Sequence, residues 1–158
     1  MGHFGFSIVG LLYMLMLIIP NILWARNIPG DYDSHGENKI LLAFERIGQI
    51  FTTATVLCFS DTTPRETNLW LIWLFISALL MLAYELYWIR YFTGDQTLKN
   101  FYRPFFGIPL PGATLPVAAF ILLGIYGKLL WLIMATLILG IGHIGIHLGH
   151  SKDSKRCQ

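Results

Sequence analysis

Five apolar runs separated by short polar stretches organise the 158 residues. They cover residues 5–24, 40–60, 69–92, 110–126 and 129–148. The first carries no charge over about 20 residues, the length that spans the hydrocarbon core of a bilayer. It ends in Pro20-Asn21, followed by Trp24 and Arg26, an interfacial pairing. Residues 27–38 are rich in turn formers and predict a polar loop. The stretch from Thr93 to Pro109 is the longest connection. Pro104, Pro109 and Pro111 forbid a regular helix through it, and Phe101, Tyr102, Phe105 and Phe106 suit a segment that lies on headgroups or folds back as a lid. The fourth run is short and holds Pro116, where a kink is expected. Gly127-Lys128 predicts a tight turn into the fifth. The pattern predicts a single all-α domain over residues 1–158, a compact bundle of five transmembrane helices.

Polar side chains inside these runs carry the functional information, because an ionisable group within a span costs about 2.5–3.5 kcal/mol on insertion scales. His143, His147 and His150 recur at i, i+4 and i+7, so a helix places them on one face. Gly142, Gly145 and Gly149 fall about 150° away, which predicts glycines pressed on one neighbour and imidazoles aimed at another. Glu45, Gln49 and Thr52 repeat the histidine spacing in the second run, with Arg46 pointing elsewhere. The third run holds Glu85 among Tyr84, Tyr87, Trp88 and Tyr91; the first holds Asn21. Counted from the ends of their helices, Asn21, Glu45, Glu85, His143 and His147 fall within about two turns of one level. A shared depth predicts one polar cluster drawn from helices one, two, three and five.

Composition agrees. Hydrophobic residues make up 55% of the chain and charged residues 13%, against about 25% charged in soluble domains. A formal net charge of +2 gives no footprint for nucleic acid. With five spans, Arg26, Lys39, Arg90, Lys99, Arg103, Lys152, Lys155 and Arg156 collect on one side, and Arg65 and Lys128 on the other. The positive-inside rule then sets the N-terminus out and the C-terminus in, as expected of a multi-pass protein of the cell membrane. Cys58 and Cys157 fall on opposite sides, which excludes a disulfide between them. Met1–Ser7 holds no Lys or Arg, unlike a cleaved signal, and Phe6 stands where a myristoylation motif needs Ser or Thr. His3 and His35 sit in segments expected to be exposed, with no role assigned.

Three roles fit the histidines. His143 with His147, or His147 with His150, has chelating spacing for a divalent metal such as zinc, with Glu45 or Glu85 as an oxygen ligand. One straight helix cannot bring all three to one ion, since His143 and His150 are about 10 Å apart along the axis. Neutral imidazoles could instead handle protons or contact a ligand, or simply hydrogen-bond within the bundle. The aromatics around Glu85 fit an interfacial belt, or a cage for a cation. No second span holds a histidine, which speaks against haem held between helices. Nucleophile-elbow, Walker and dinucleotide signatures are absent from the sequence. The ensemble of acids, histidines and aromatics resembles in style small membrane proteins that bind hydrophobic amines or isomerise sterols. No motif of that group matches residue by residue, so nothing is carried over.

These features lead first to a protein that binds or transports a small ligand, proton or divalent cation in a cytosol-facing pocket. Its candidate lining is Glu45, Gln49, Glu85, His143, His147, Asn21, Arg46, Tyr84 and Trp88. A membrane enzyme acting on a lipophilic substrate by carboxylate and histidine chemistry is the second reading. A structural or partner-binding subunit is the third. Expected partners are membrane lipids, the ligand itself and a second copy bound through the glycine face of the last helix.

Overall fold

The computed structural model describes residues 2–30, 32, 37–64 and 68–156, the last five without their side chains. His35, Arg65 and Cys157 lie outside the described residues, as do the side chains of Lys152, Lys155 and Arg156. Among the described residues there is no named β-strand, and the helices are α1 (Ile8–Arg26), α2 (Lys39–Cys58), α3 (Leu71–Thr93), the short α4 (Leu98–Phe101), α5 (Pro111–Tyr126) and α6 (Leu130–Arg156).

Local chemistry sets the boundaries. The Ser7 side chain accepts from Gly10 N–H and starts α1. Asn38 does the same for α2. Pro111 opens α5 at a position where a missing N–H costs nothing. Four stretches, namely α1, α2, α3 and Leu130–Ser151 of α6, are long and apolar enough to cross a membrane; α5, with 16 residues, is shorter. α5 is apolar all round, as a central helix must be. It buries Leu115, Val117, Phe120 and Leu123 among α3 and α6. Exposed Ile, Leu and Phe side chains instead cover the outer flanks of α1, α2 and α3.

The five long helices alternate in direction, which gives the molecule two distinct ends. At one end the N-terminal segment lies extended along the end of α2. Phe4 bridges Phe59, Gly5 N–H donates to the Cys58 carbonyl, and Ser7 N–H donates to the Leu57 carbonyl. The first helix therefore begins at Ile8 rather than residue 5, because the preceding backbone donates to the last carbonyls of α2 instead of to a turn of its own. Trp70 Nε1 donates to the Tyr126 carbonyl at this same end.

At the other end the connection after α3 folds back as a lid. Phe101 and Tyr102 are 6% and 8% exposed. Phe101 packs its ring on Trp24, Trp88, Tyr91 and His147. Arg90 clamps the lid by donating to the carbonyls of Asn100, Arg103 and Pro104, while its guanidinium lies over Tyr87 and Phe105. The lid corrects one expectation. Tyr84, Tyr87, Trp88 and Tyr91 are at most 2% exposed. They are core beneath the lid, not an interfacial belt. Helical spacing alone does not distinguish an aromatic facing headgroups from one facing a folded-back loop.

Candidate functional site

The closest helix pair is α2 against α6, and glycine creates it. A Cβ on Gly142 would sit 2.3 Å from the Glu45 backbone nitrogen, and one on Gly48 would sit 2.3 Å from that of Leu139. The two backbones touch, as small residues permit in membrane bundles. Gly145 rests on the Leu41 side chain, while Gly149 has open space. Two of the three glycines proposed as an outer face are thus taken up within the chain. His143 shares that partner helix with the glycines, contrary to the two-neighbour expectation, whereas His147 meets the lid and His150 meets Glu37 ahead of α2. Backbone contact at Gly142 brings α2 near enough for Glu45 to reach round the flank of α6.

That reach places Glu45 Oε1 2.5 Å from His143 Nδ1, with both side chains largely buried. A carboxylate only accepts, so His143 Nδ1 carries the proton and donates, and Nε2 is left as its acceptor. The next imidazole, His147, lies with its ring centre 4.5 Å from that of His143. Its Nδ1 is 3.3 Å from the Tyr102 hydroxyl on the lid. His150 follows at the rim, where Nε2 donates to Glu37 Oε1 at 2.9 Å and the ring lies 5.0 Å from that of Tyr32. Burial, followed by the charges of Glu37 and Glu45, pushes the Tyr32 hydroxyl up to about 12. Burial likewise raises Tyr102, with Tyr32 and Glu37 adding to it. Both phenols therefore stay protonated around neutrality and can donate.

The predicted set separates into five parts. Glu45, His143, His147 and His150 join the array just described. Asn21 and Gln49 line a cleft between α1 and α2, away from the imidazoles. Asn21 also donates to the Tyr84 hydroxyl at 2.7 Å, tying α1 to α3. Tyr84 and Trp88 form an aromatic wall with Phe101. Glu85 lies at the expected depth, yet its buried Oε1 has no hydrogen-bond partner among the described residues, and no ion pair joins it to the array. Arg46 is exposed. Among the described residues no three His, Cys, Asp or Glu side chains converge as a metal site requires. Each histidine instead has its own partner.

Three members of the array, Tyr32, Glu37 and Tyr102, escaped sequence reasoning. Glu37 left one usable trace. Glu37, just before α2, and Glu45 within it are eight residues apart, and the histidines they meet on the antiparallel α6, His150 and His143, are seven apart. No family model, curated protein or solved structure matches the chain.

Proposed function

We propose that the chain is a five-span protein of the cell membrane, N-terminus outside, whose histidine–carboxylate array takes up protons or a small ligand from the cytosol. The observation that carries this reading is the Glu45–His143 hydrogen bond, set between glycine-packed helices and covered by the lid. Arg26, Lys39, Arg90, Lys99 and Arg103 all belong to the array's end of the bundle, which supports a cytosolic placement. The chemistry follows from order. His150 and Glu37 stand at the rim, His147 follows beneath Tyr102, and His143 is innermost with Glu45 to balance a positive imidazole. Imidazoles are the side chains best suited to exchange protons near neutrality. The unshared Nε2 of His143 gives an incoming ligand one defined acceptor. A divalent cation would use His143 and His147 together with donors supplied by the ligand or water.

The test combines composition with flux. Metals and small molecules in the purified protein are identified, and the protein is reconstituted into vesicles loaded with a pH-reporting dye. Wild type is expected to raise proton entry, or ligand-driven pH change, well above empty vesicles. Glu45→Gln and His143→Ala each lower it at least tenfold. Folded variants that match wild type in flux, metal content and ligand content would sink the reading. A membrane enzyme acting on a lipophilic substrate is the second reading, favoured by the apolar cleft beside α1. Turnover of an extracted lipid, lost in Glu45→Gln, would identify it.

A further inference from the structure

A cleft of about 380 Å³ separates α1 from α2 and is floored by Leu139 of α6. That volume falls at the lower end of ordinary small-molecule sites, roughly 300–1,000 Å³. On α2 its lining residues Gln49 and Thr52 lie four and seven residues beyond Glu45, and on α1 it runs from Met14 to Ala25. Its walls are apolar, from Met14, Leu17, Ile18 and Ile22, apart from the neutral groups of Asn21, Gln49, Thr52 and Thr53. Among the described residues no charged side chain lines it. Ile18 and Ile22 are 42% and 48% exposed, so the mouth opens on the apolar flank of the bundle.

One wall residue lacks what its neighbours have. Thr52 is 2% exposed, and its Oγ1 is buried with no hydrogen-bond partner among the described residues. Thr55, Thr93, Thr114 and Thr136 all donate to the carbonyl four residues earlier in their helices. The Thr52 hydroxyl has no such bond, and a buried hydroxyl left unpaired is costly. Across the cleft, Asn21 spends both Nδ2 donors, on the Leu17 carbonyl at 2.6 Å and the Tyr84 hydroxyl at 2.7 Å. Its Oδ1 is then a positioned acceptor.

We propose that this cleft binds a single-chain lipid with an uncharged hydroxyl head group. The hydroxyl bonds to Thr52 Oγ1 and the amide groups of Asn21 and Gln49, and the chain lies along Met14, Leu17 and Ile18. An acyl anion finds no cation among the lining residues. An ammonium head finds no carboxylate there, since Glu45 is engaged by His143. The site shares no lining residue with the histidine array and stands whether or not the array moves protons.

The probe is a 16-carbon alcohol carrying a photoactivatable diazirine in its chain, applied to the intact protein in nanodiscs. Cross-links are expected in the α1 and α2 segments that line the cleft. Excess hexadecanol removes them at least fivefold, while hexadecylamine and palmitate do not. Thr52→Val, which keeps the shape and deletes the hydroxyl, lowers labelling about fivefold. Glu45→Gln keeps it, so this site and the proton reading fail separately. Labelling spread evenly over the exposed faces of α1 and α3 and competed equally by all three lipids would overturn the proposal, as would full labelling of Thr52→Val.

Discussion

The molecule pairs a histidine with a carboxylate at each of its two ends. At one, Asp61 accepts from His3 twice, through the ring at 2.7 Å and through the backbone N–H at 2.6 Å. The His3 side chain there is 71% exposed, and the pair ties an extended terminus to the turn after α2. At the other, the His143 and Glu45 side chains are 22% and 16% exposed, a second imidazole stands beside them, and the lid lies over the neighbouring ring. The same two functional groups therefore serve different ends. Asp61 spends its acceptors on the N-terminal segment, whereas Glu45 holds an imidazole whose other nitrogen has no hydrogen-bond partner among the described residues. Backbone contact at Gly142 and the aromatic cover distinguish a candidate site from a clasp.

The largest test of that contrast removes an aromatic from each end. Phe101 packs against six surrounding rings, so Phe101→Ala is expected to cost about 3–5 kcal/mol, the usual range for a buried phenylalanine. Phe59 is half-buried and stacks on the exposed Phe4, so Phe59→Ala should cost about 1 kcal/mol. Denaturant unfolding in detergent micelles measures both. Equal losses would mean the lid adds no more than the clasp, and the distinction between the ends would fall.

Gly142→Ala comes next. Its new methyl meets the backbone of Glu45 and Leu41, which cannot rotate away as a side chain would. The helices must part, at about 1–3 kcal/mol, and the Glu45–His143 bond should lengthen. Histidine ring nitrogen NMR would register the weakened Nδ1 hydrogen bond. Gly149→Ala is the matched control. Its site is open, so removing a glycine from a helix should be neutral or stabilise by up to about 1 kcal/mol. If both variants shift the His143 signal alike, glycine packing does not position the pair.

Much of this was legible in the sequence, and its gaps have physical causes. Hydropathy located the first four long helices, and the start of the last, within a few residues because apolar length is a property of each segment alone. The last helix runs on to Arg156, past the apolar run that ends at 148, because a polar sequence can continue a helix once it has begun. Depth placed Glu45 and His143 at one level, and they do meet. Depth says nothing about azimuth, however, so Glu85 reaches the same level and faces elsewhere. The pairing of α2 with α6 joins segments far apart in the chain, and short loops do not dictate such neighbours. Tyr32 and Glu37 were hidden in a turn-rich loop whose composition resembles any solvated connection. Tyr102 belonged to a loop marked as a possible lid, yet its partner depended on how that loop closed.

The smallest expected effect belongs to the clasp, and its sign can be worked out. Burial alone would raise Asp61, but the side-chain and backbone hydrogen bonds from His3, with the attraction between the two groups, outweigh it and hold the carboxyl below its usual value. A carboxyl lowered on folding stabilises the folded state above its unfolded pKa and loses that contribution as pH falls through the folded value. Because His3 is so exposed, the contribution is expected to be about 1 kcal/mol or less. Asp61→Asn should therefore melt slightly below wild type at pH 7, and the two curves should merge as the pH approaches 3. A gap that persists at pH 3 would show that Asp61 acts through shape rather than charge. The two ends would then differ in kind of interaction and not only in surroundings.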